Sequence, residues 1–437
     1  TPERLDRLLA RLSAYPAYLE AHADVLRDGV AAGRTAAAPV VARVLEQTAR
    51  VAAAPAADDP LLAAHPDLDE ASRARLERAI AHDVRPAQGR FLQAVRAYAP
   101  HARTDPGLWA LPDGEALYDA AIEAHTTLVE SAAAIHAYGQ ERLEALDGER
   151  LAIARQAGEA SVEAYRASLL ADPANHAASG DEIVALCEAV IERASAAAPR
   201  VFGRLPRAAC VVRPVEPYAA PEAPPAFYLP PRPDGGRPGT FFVNTFEPSA
   251  RPLHRFAATA FHEAVPGHHF QLAIETELTG LPRFRTLGSR LAGAAYTEGW
   301  GLYSEGLADE LGLYRDERER FGMLEAQAWR AARLVVDTGL HAFRWDRERA
   351  VTFLERAAGL PRLEAETETD RYIAAPGQAL AYMIGQRELQ ALRAVLTARA
   401  GGAFDLVAFH DAVLGHGALP LATLRRQLPR WLEAPAA

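Results

Sequence analysis

The chain has 437 residues, of which 49% are hydrophobic and 24% charged, and its formal net charge is -10. This balance is typical of a large folded protein and excludes a disordered chain, and acidic charge without a basic stripe argues against a nucleic-acid partner. All 47 basic side chains are arginine, which excludes chemistry that needs lysine, such as a Schiff base or a phosphate-loop lysine. No apolar run reaches about eighteen residues, so no membrane span is predicted.

Residues 1–200 show an almost continuous helical pattern of Ala, Leu, Glu and Arg. Prolines interrupt the pattern at several places, including Pro55, Pro66, Pro100 and Pro173. Six to eight packed helices are therefore predicted, and this part is interpreted as an N-terminal helical subdomain.

Residues 201–250 are rich in Pro and Gly and contain three short β-type runs, CVVRPV from Cys210, AFYLP from Ala226 and GTFFVNT from Gly239. Proline in a sheet is tolerated mainly at the edges, so a small antiparallel sheet with long loops is predicted. The last run could offer an open strand edge to an extended substrate. Residues 251–437 return to a helical pattern and are predicted to form the catalytic subdomain.

The segment FHEAVPGHHFQ, residues 261–271, carries the strongest chemical signal. In the motif H-E-x-x-H, two histidines one helical turn apart bind zinc and the glutamate activates a water molecule. Here His262 and Glu263 begin such a motif, but His268 and His269 follow six and seven positions after His262. On an unbroken helix His268 would lie roughly 120° around the axis from His262, too far for one zinc ion.

Pro266 and Gly267 change this geometry. Pro266 cannot donate the hydrogen bond that the His262 carbonyl group expects, so the helix must kink or open, and Gly267 allows a backbone conformation that other residues avoid. The interruption could bring His268 to the place of the usual second histidine. The alternative is a group of polar residues on an exposed turn, but the apolar flanks predict burial, and buried histidines need partners.

A second helix is predicted in YTEGWGLYSEGLADELG, residues 296–312. A glutamate from a second helix completes zinc sites of the gluzincin type, which makes Glu298 a third candidate ligand. Glu305 lies seven residues later on the same face and could accept a hydrogen bond from a ligand histidine. The alternative for Glu298 is an ordinary charge on a helix surface.

Four motifs in order resemble those of the domain-of-unknown-function-885 family, helical bacterial proteins regarded as zinc peptidases. They are HEAVPGHH, the EGW of YTEGWGLYSE, DTGLHAFRW and RYIAAPGQALAYMIG. GVAAGRTAAAPVV and GLWALPDGEALYDAAIEAHTT are similar to the family's N-terminal half, so the resemblance covers most of the chain. It implies a mainly α, zinc-metallopeptidase-like fold with the small antiparallel sheet beside a gluzincin-like site.

The resemblance also implies roles for individual residues. His262, His268 and Glu298 match the positions of the Zn2+ ligands, and Glu263 matches that of the general base. It favours His268 over His269, which remains an alternate ligand or a neighbour of the ligands.

The predicted helix LEAQAWRAARLVVDTGLHAFRW, residues 324–345, places Arg330, Arg333, Asp337 and His341 along one stripe. Such a stripe is either exposed to solvent or the wall of an active site, because burying unpaired charges costs free energy. In the second case Asp337 could orient His341 as a donor to an oxyanion, and the two arginines could bind substrate.

After Pro376 and Gly377, one predicted helix face carries three polar residues at steps of four, namely Gln378, Tyr382 and Gln386. Tyr382 is a candidate oxyanion donor or, alternatively, a buried structural tyrosine. Gln378 is a candidate substrate-binding residue, and Arg371 is a candidate clamp for a substrate carboxylate.

Together these residues predict a zinc-dependent hydrolase that cleaves peptide or amide bonds of small peptides. Two alternatives are a metal enzyme acting on a small amino-acid-derived metabolite and a non-catalytic helical binding scaffold. The amphipathic first residues, TPERLDRLLARL, are unlike a signal sequence, so the protein is expected to be cytoplasmic, or secreted or periplasmic if a leader has been removed. The oligomeric state is left open.

Overall fold

The computed structural model describes residues 2–217, 219–221, 223–287 and 292–433. The protein is mainly helical, with one small sheet. Among the described residues, no helix combines the length and the apolar character that a membrane crossing needs. The longer helices are α1 (Pro2–Ala31), α2 (Ala38–Ala53), α3 (Glu70–Ala79), α4 (Arg85–Tyr98), α5 (Gly114–Thr126), α6 (Ala132–Gln156), α7 (Val162–Ala171), α8 (Gly180–Ala197), α9 (Phe256–Glu263), α10 (His268–Glu277), α11 (Ala294–Glu310), α12 (Glu317–His341), α13 (Arg347–Ala358), α14 (Arg362–Ala374), α15 (Ala381–Ala400), α16 (Leu406–Leu414) and α17 (Leu421–Glu433).

Helices α1 to α8 lie in the N-terminal part, in agreement with the six to eight helices predicted there. Local signals in the sequence explain where several of them begin. Ser131, Ser161 and Ser179 precede α6, α7 and α8, and each side-chain oxygen accepts a hydrogen bond from a backbone N–H of the first turn. Such caps satisfy donors that a helix start otherwise leaves unpaired.

The chain forms two compact units. Unit 1 comprises Thr1–Leu117, Leu340–Glu348 and Thr367–Ala374, and unit 2 comprises Tyr118–Gly339, Arg349–Glu366 and Ala375–Ala437. The boundaries that the sequence predicted near residues 200 and 250 coincide with the change from helices to strands and back to helices. The division of the chain into domains at these boundaries stays a prediction.

The core of unit 1 follows from the spacing of apolar residues on α1. Leu5, Leu12 and Leu19 are seven residues apart, which places them on one face of the helix, and all three are buried. This face packs on side chains from the segments that follow α2. The buried cluster consists of Leu5, Leu12, Leu62, Leu76, Ile80 and Val84.

The sheet in unit 2 contains β1 (Cys210–Pro214), β2 (Ala226–Leu229) and β3 (Gly239–Val243) in the order β1-β3-β2. The three strands lie where the sequence predicted them, but the prediction of an antiparallel sheet is wrong for one pair. β3 is antiparallel to β2 and parallel to β1. Residues 230–238 close the hairpin of β2 and β3, whereas β1 pairs with the other side of β3 and runs in the same direction as β3. Since β3 is central and paired on both sides, it does not offer the open edge expected for GTFFVNT.

Helices α11 and α15 of unit 2 approach closely because each has a glycine at the crossing point. A Cβ atom on Gly299 would lie 2.4 Å from the Cα atom of Gly385, and a Cβ atom on Gly385 would lie 2.0 Å from the carbonyl oxygen of Ala295. Any larger side chain would push the helices apart. This contact brings Tyr382, at the start of α15, next to the helix that carries Glu298.

Candidate metal centre

The segment FHEAVPGHHFQ forms two helices rather than one. Helix α9 ends at Glu263, and α10 begins at His268. The predicted interruption at Pro266 is confirmed as a complete break of four residues, in which the Val265–Pro266 peptide bond is cis. Gly267 is required for a close approach, because a Cβ atom there would lie 1.9 Å from the carbonyl oxygen of His262.

Trp300 connects this break to α11. Its indole N–H lies 3.0 Å from the carbonyl oxygen of Pro266 and 3.2 Å from that of Gly267, and the whole side chain is buried. Both carbonyl groups belong to the four-residue break, and that of Gly267 also accepts from the Gln271 N–H at 3.2 Å. Since Trp300 follows Glu298 by two residues, the same helix that positions the turn also supplies the glutamate.

The break brings the three candidate ligands together. The Nε2 atoms of His262 and His268 lie 3.5 Å and 3.6 Å from Oε2 of Glu298, and the possible ligand atoms of the three residues all lie within 4.8 Å of one another. Ligands of a tetrahedral zinc ion at about 2.0–2.1 Å lie roughly 3.3–3.4 Å apart. The two distances from Glu298 are close to this spacing, so His262, His268 and Glu298 could hold an ion of about the size of zinc.

His262 is held from behind by a chain of polar side chains. Its Nδ1 atom donates to Oε1 of Glu305 at 2.8 Å, and Oε2 of Glu305 accepts from Gln327 at 3.2 Å. Gln386 in turn donates to Gln327 at 3.0 Å. Because a carboxylate only accepts, Nδ1 of His262 carries the proton, and in the neutral ring the lone pair is on Nε2, the atom that faces Glu298.

Gly301 allows the ring of His262 to pack directly on α11. A Cβ atom on Gly301 would lie 2.7 Å from Nε2 and from Cε1 of His262. His268 has no counterpart of the Glu305 contact, because its buried Nδ1 atom has no hydrogen-bond partner among the described residues. The two histidines are thus positioned by different means, one by polar contacts and the other by the turn that precedes it.

The electrostatic environment of the centre favours a cation. Burial disfavours the charged form of His262, but hydrogen bonds with Glu298 and Glu305 outweigh burial and raise the pKa of His262 to about 9. Burial raises the pKa of Glu298, but hydrogen bonds with His262 and His268 lower it below the usual range of a carboxyl group. The carboxylates therefore stabilise positive charge here, either a proton or a metal ion.

Glu263 and His269 each follow one of the candidate histidine ligands directly in the sequence. Glu263 is half-buried at the C-terminal end of α9, directly after His262. His269 is buried and directed to the sheet, where its Nδ1 atom lies 2.7 Å from the hydroxyl group of Tyr228 on β2. Burial lowers the pKa of His269 to about 4. Among the described residues, the group that could hold a metal contains His268 and not His269.

Tyr382 and the two arginines of α12 are close to the centre. The ring of Tyr382 is stacked on that of His262 at 6.3 Å. The guanidinium carbon of Arg333 lies 4.5 Å from the centre of the Tyr382 ring, and that of Arg330 lies 6.0 Å from it. Both arginines also stack on Trp329, at 4.4 Å and 5.0 Å. The predicted stripe on α12 is buried rather than exposed from Arg333 onward.

The other two members of that stripe are anchored elsewhere. Asp337 in unit 2 accepts hydrogen bonds from the Tyr118 hydroxyl at 2.6 Å and the Gly377 backbone N–H at 3.0 Å. In unit 1, Nδ1 of His341 accepts a hydrogen bond from the Leu108 N–H, and Nε2 donates one to the Tyr372 carbonyl oxygen, each at 3.1 Å. Burial lowers the pKa of His341 to about 4.

These contacts anchor Asp337 and His341, each within its own unit, and the orientation of His341 by Asp337 stays a prediction. Asp337 holds the turn that leads into α15, and so it positions Tyr382 through the backbone. His341 binds backbone groups with both nitrogens, which explains its burial without an oxyanion. Arg371, in unit 1, forms a bidentate ion pair with Glu368 at 3.1 Å and 2.9 Å. Gln378 begins a short 3-10 turn before α15 and is half-buried.

Sequence reasoning missed several residues of the site. Trp300, Gly301 and Gln327 were not identified, although Trp300 and Gly301 belong to the EGWG motif. The spacing of four residues after Tyr382 did place Gln386 on the same helix face, but it gave Gln386 no partner. Gln327 carries no local signal, because its partner Glu305 lies 22 residues away in the sequence.

The fold and the site define a mainly helical protein with a candidate His-His-Glu metal centre at an interrupted helix. The chain belongs to the family described as "Bacterial protein of unknown function (DUF885)", which matches residues 1–428. No curated protein matches it.

Among the solved structures that are similar to this chain are two proteins from other bacteria. One is described as a "putative lipoprotein" from Colwellia psychrerythraea; it is 29% identical with a TM-score of 0.95, over 99% of this chain and 77% of that one. The other, a "putative lipoprotein of unknown function" from Shewanella oneidensis, is 21% identical with a TM-score of 0.73, over 98% and 78% of the two chains. At 21% identity, the similarity to the Shewanella oneidensis protein supports a shared fold and nothing further.

Proposed function

We propose that this protein is a zinc-dependent hydrolase that cleaves peptide or amide bonds of small peptides, with a gluzincin-like arrangement of ligands. The observation that carries the proposal is the convergence of His262, His268 and Glu298 from α9, α10 and α11, beside Glu263. Two imidazole groups and one carboxylate form the donor set of catalytic zinc sites, which keep one position for water. A purely structural zinc site has no need of a glutamate next to its first histidine.

Zinc bound by these three side chains would lower the pKa of a water molecule toward neutrality and polarise a substrate carbonyl group. Glu263 is half-buried at the end of α9, and its role is to accept the water proton and pass it to the leaving amine. Tyr382 lies against His262, and we assign its hydroxyl group the role of donor to the carbonyl oxygen as negative charge develops. Arg333 supports this ring by stacking on it.

The test combines elemental analysis of the purified chain with mass-spectrometric profiling of a peptide mixture. The native chain should contain about one zinc ion and should generate new peptide termini. Glu263→Gln should retain zinc and lose turnover by at least about 100-fold, as expected for a general base. Glu192→Gln, which changes an exposed carboxylate on α8, is the matched control and should alter neither result.

A native chain without zinc, or a Glu263→Gln variant with full activity, would overturn the proposal. Turnover of amino-acid-derived metabolites but of no peptide would instead favour the metabolite enzyme. Binding of zinc without turnover of either class would favour the scaffold.

We also propose a secreted or periplasmic location. The support is the description of the Colwellia psychrerythraea relative as a lipoprotein, which favours this alternative over the cytoplasmic location expected from the first residues. Cell fractionation followed by detection of the chain with an antibody tests it, and recovery in the cytoplasmic fraction would contradict it.

A further inference from the structure

A cavity of about 280 Å³ lies within unit 2, and we name it the Trp329 cavity. Its apolar wall includes Phe256, Trp329 and Leu360, and its charged groups include Arg330 and Glu325. Pockets for drug-sized ligands usually measure about 300–1,000 Å³, so this cavity suits a smaller group, such as a single amino-acid residue.

Two elements connect the Trp329 cavity to the metal centre. Thr259 lines the cavity from α9, and Glu263 follows it by four residues, one turn along the same helix face. Arg330 lines the cavity from α12, and its guanidinium carbon lies 6.0 Å from the centre of the Tyr382 ring, which is stacked on His262. The cavity therefore lies next to the general base and the oxyanion donor proposed above.

Glu325 and Arg330, two charged groups of the cavity, differ in their ion-pair and hydrogen-bond partners. Glu325 is already neutralised, because it forms ion pairs with Arg166 and, at 3.2 Å, with Arg255. Arg330 donates to the carbonyl oxygen of Ala326 at 3.3 Å, and its buried Nε atom has no hydrogen-bond partner among the described residues. A guanidinium group with unused donors beside an apolar wall favours an anionic, partly apolar ligand.

We propose that the Trp329 cavity binds the C-terminal residue of the substrate, with an apolar side chain against Trp329 and the free carboxylate on Arg330. The inference rests on the proposed function and makes the enzyme a carboxypeptidase of small peptides. Hydrolysis then breaks the last peptide C–N bond. The hydroxyl group of water goes to the acyl carbon, its proton reaches the amine nitrogen through Glu263, and a free apolar amino acid leaves.

The first test uses the native, zinc-loaded full chain and changes only the substrate. N-acetyl-Gly-Phe is compared with the same dipeptide as its C-terminal amide, and kcat/KM is measured for both. The kcat/KM value should be on the order of 10- to 100-fold higher for the free acid. A hydrogen bond to a charged group generally contributes a free energy that corresponds to such a factor. N-acetyl-Gly-Phe should also be preferred to N-acetyl-Gly-Asp, because the wall is apolar. Equal kcat/KM for acid and amide would overturn the cavity proposal and leave the proposed function standing.

The second test changes Arg330. Arg330→Gln should reduce the ratio of kcat/KM between acid and amide to near 1, and Arg330→Lys should restore part of it, because lysine keeps the charge but not the bidentate geometry. Arg362→Gln is the matched control: Arg362 directly follows the cavity residue Pro361, but its guanidinium group pairs with Glu355 and Glu366. A ratio unchanged by Arg330→Gln would contradict the assignment of the carboxylate to Arg330.

A binding experiment separates failure of this inference from failure of the proposed function. Zinc-loaded Glu263→Gln protein is titrated by calorimetry with the free acid and with the amide. The Glu263→Gln chain should bind the acid more tightly than the amide, and the double variant that also carries Arg330→Gln should lose this difference. Such a result supports the cavity assignment even if the native chain cleaves no peptide. Equal affinities for acid and amide overturn it, whether or not peptides are cleaved.

Discussion

The Nδ1 atom of His262 lies 2.8 Å from Oε1 of Glu305, which stands seven residues after Glu298 on the same helix. One helix thus provides a candidate metal ligand and the residue that orients another ligand. Both glutamates are on the same face because seven residues are close to two turns. Through Trp300, helix α11 also contacts the turn at Pro266 and Gly267, which precedes His268. The packing of α11 therefore affects the positions of all three candidate ligands.

Glu305→Gln should weaken zinc binding by about 10- to 100-fold, because the neutral amide loses the charge that supports the His262 ring. Zinc affinity is measured by competition with a chelating dye. Glu310→Gln is the control on the same helix, where Glu310 forms an exposed ion pair with Arg393. Equal zinc affinity of the Glu305→Gln and native chains would refute the orienting role.

Gly267→Ala should reduce zinc binding and destabilise the protein by about 1–3 kcal/mol, because the new Cβ atom would lie 1.9 Å from the His262 carbonyl oxygen. Gly306→Ala is the opposite control: no atom lies within 4 Å of the position of its Cβ, and alanine should stabilise α11 by about 0.5–1 kcal/mol. Chemical denaturation and zinc titration measure both effects. If Gly267→Ala behaves like Gly306→Ala, the close approach at the break is unimportant.

His268→Ala should abolish zinc binding, whereas His269→Ala should retain it. The difference follows from the two ring positions, since His268 faces Glu298 and His269 contacts Tyr228. His269→Ala should still cost about 1–3 kcal/mol of stability, because it leaves the buried Tyr228 hydroxyl group without this partner. Elemental analysis and denaturation distinguish the two variants. The reverse pattern of zinc retention would exchange the roles of the histidines.

The free energy of unfolding should depend on pH partly through His410. This residue is buried between the Val201 carbonyl oxygen and the Tyr303 hydroxyl group, each at 2.8 Å from a ring nitrogen. Burial lowers the pKa of His410 to about 4, from an ordinary value of 6.5. The unfolded chain therefore binds more protons between these values, and the free energy of unfolding falls as the pH drops from about 6.5 to about 4. One histidine contributes roughly 3 kcal/mol over this range, at about 1.4 kcal/mol per pKa unit.

His410→Gln removes this titration, so its free energy of unfolding should depend less on pH in that window. The measurement is urea denaturation at several pH values on metal-free protein, which keeps zinc binding out of the comparison. His65→Gln, at an exposed site in unit 1, controls for the loss of a histidine. Identical pH slopes for the native and His410→Gln chains would show that His410 does not titrate as described.

Much of the fold and part of the site could be predicted from the sequence. Helix positions follow from apolar spacing, capping serines and prolines, which act over a few residues. Strand positions were also correct, but the parallel direction of β1 and β3 was not predicted, because pairing between strands that are distant in sequence leaves no local pattern. Helical spacing placed Asp337 and His341 on one stripe, but it could not show that Asp337 accepts from Tyr118 and Gly377 or that His341 contacts the backbone of Leu108 and Tyr372.

The sequence by itself determined that α9 must stop before His268, because Pro266 has no N–H group to continue the helix and Gly267 lacks a Cβ atom. It also placed Glu263 next to His262. Only the tertiary structure decided which side chains meet: His268 with His262 and Glu298, Glu305 behind His262, and Arg330 at the Trp329 cavity. These residues come from separate helices, and their distances depend on how α9, α11 and α12 pack, which no short segment of sequence specifies.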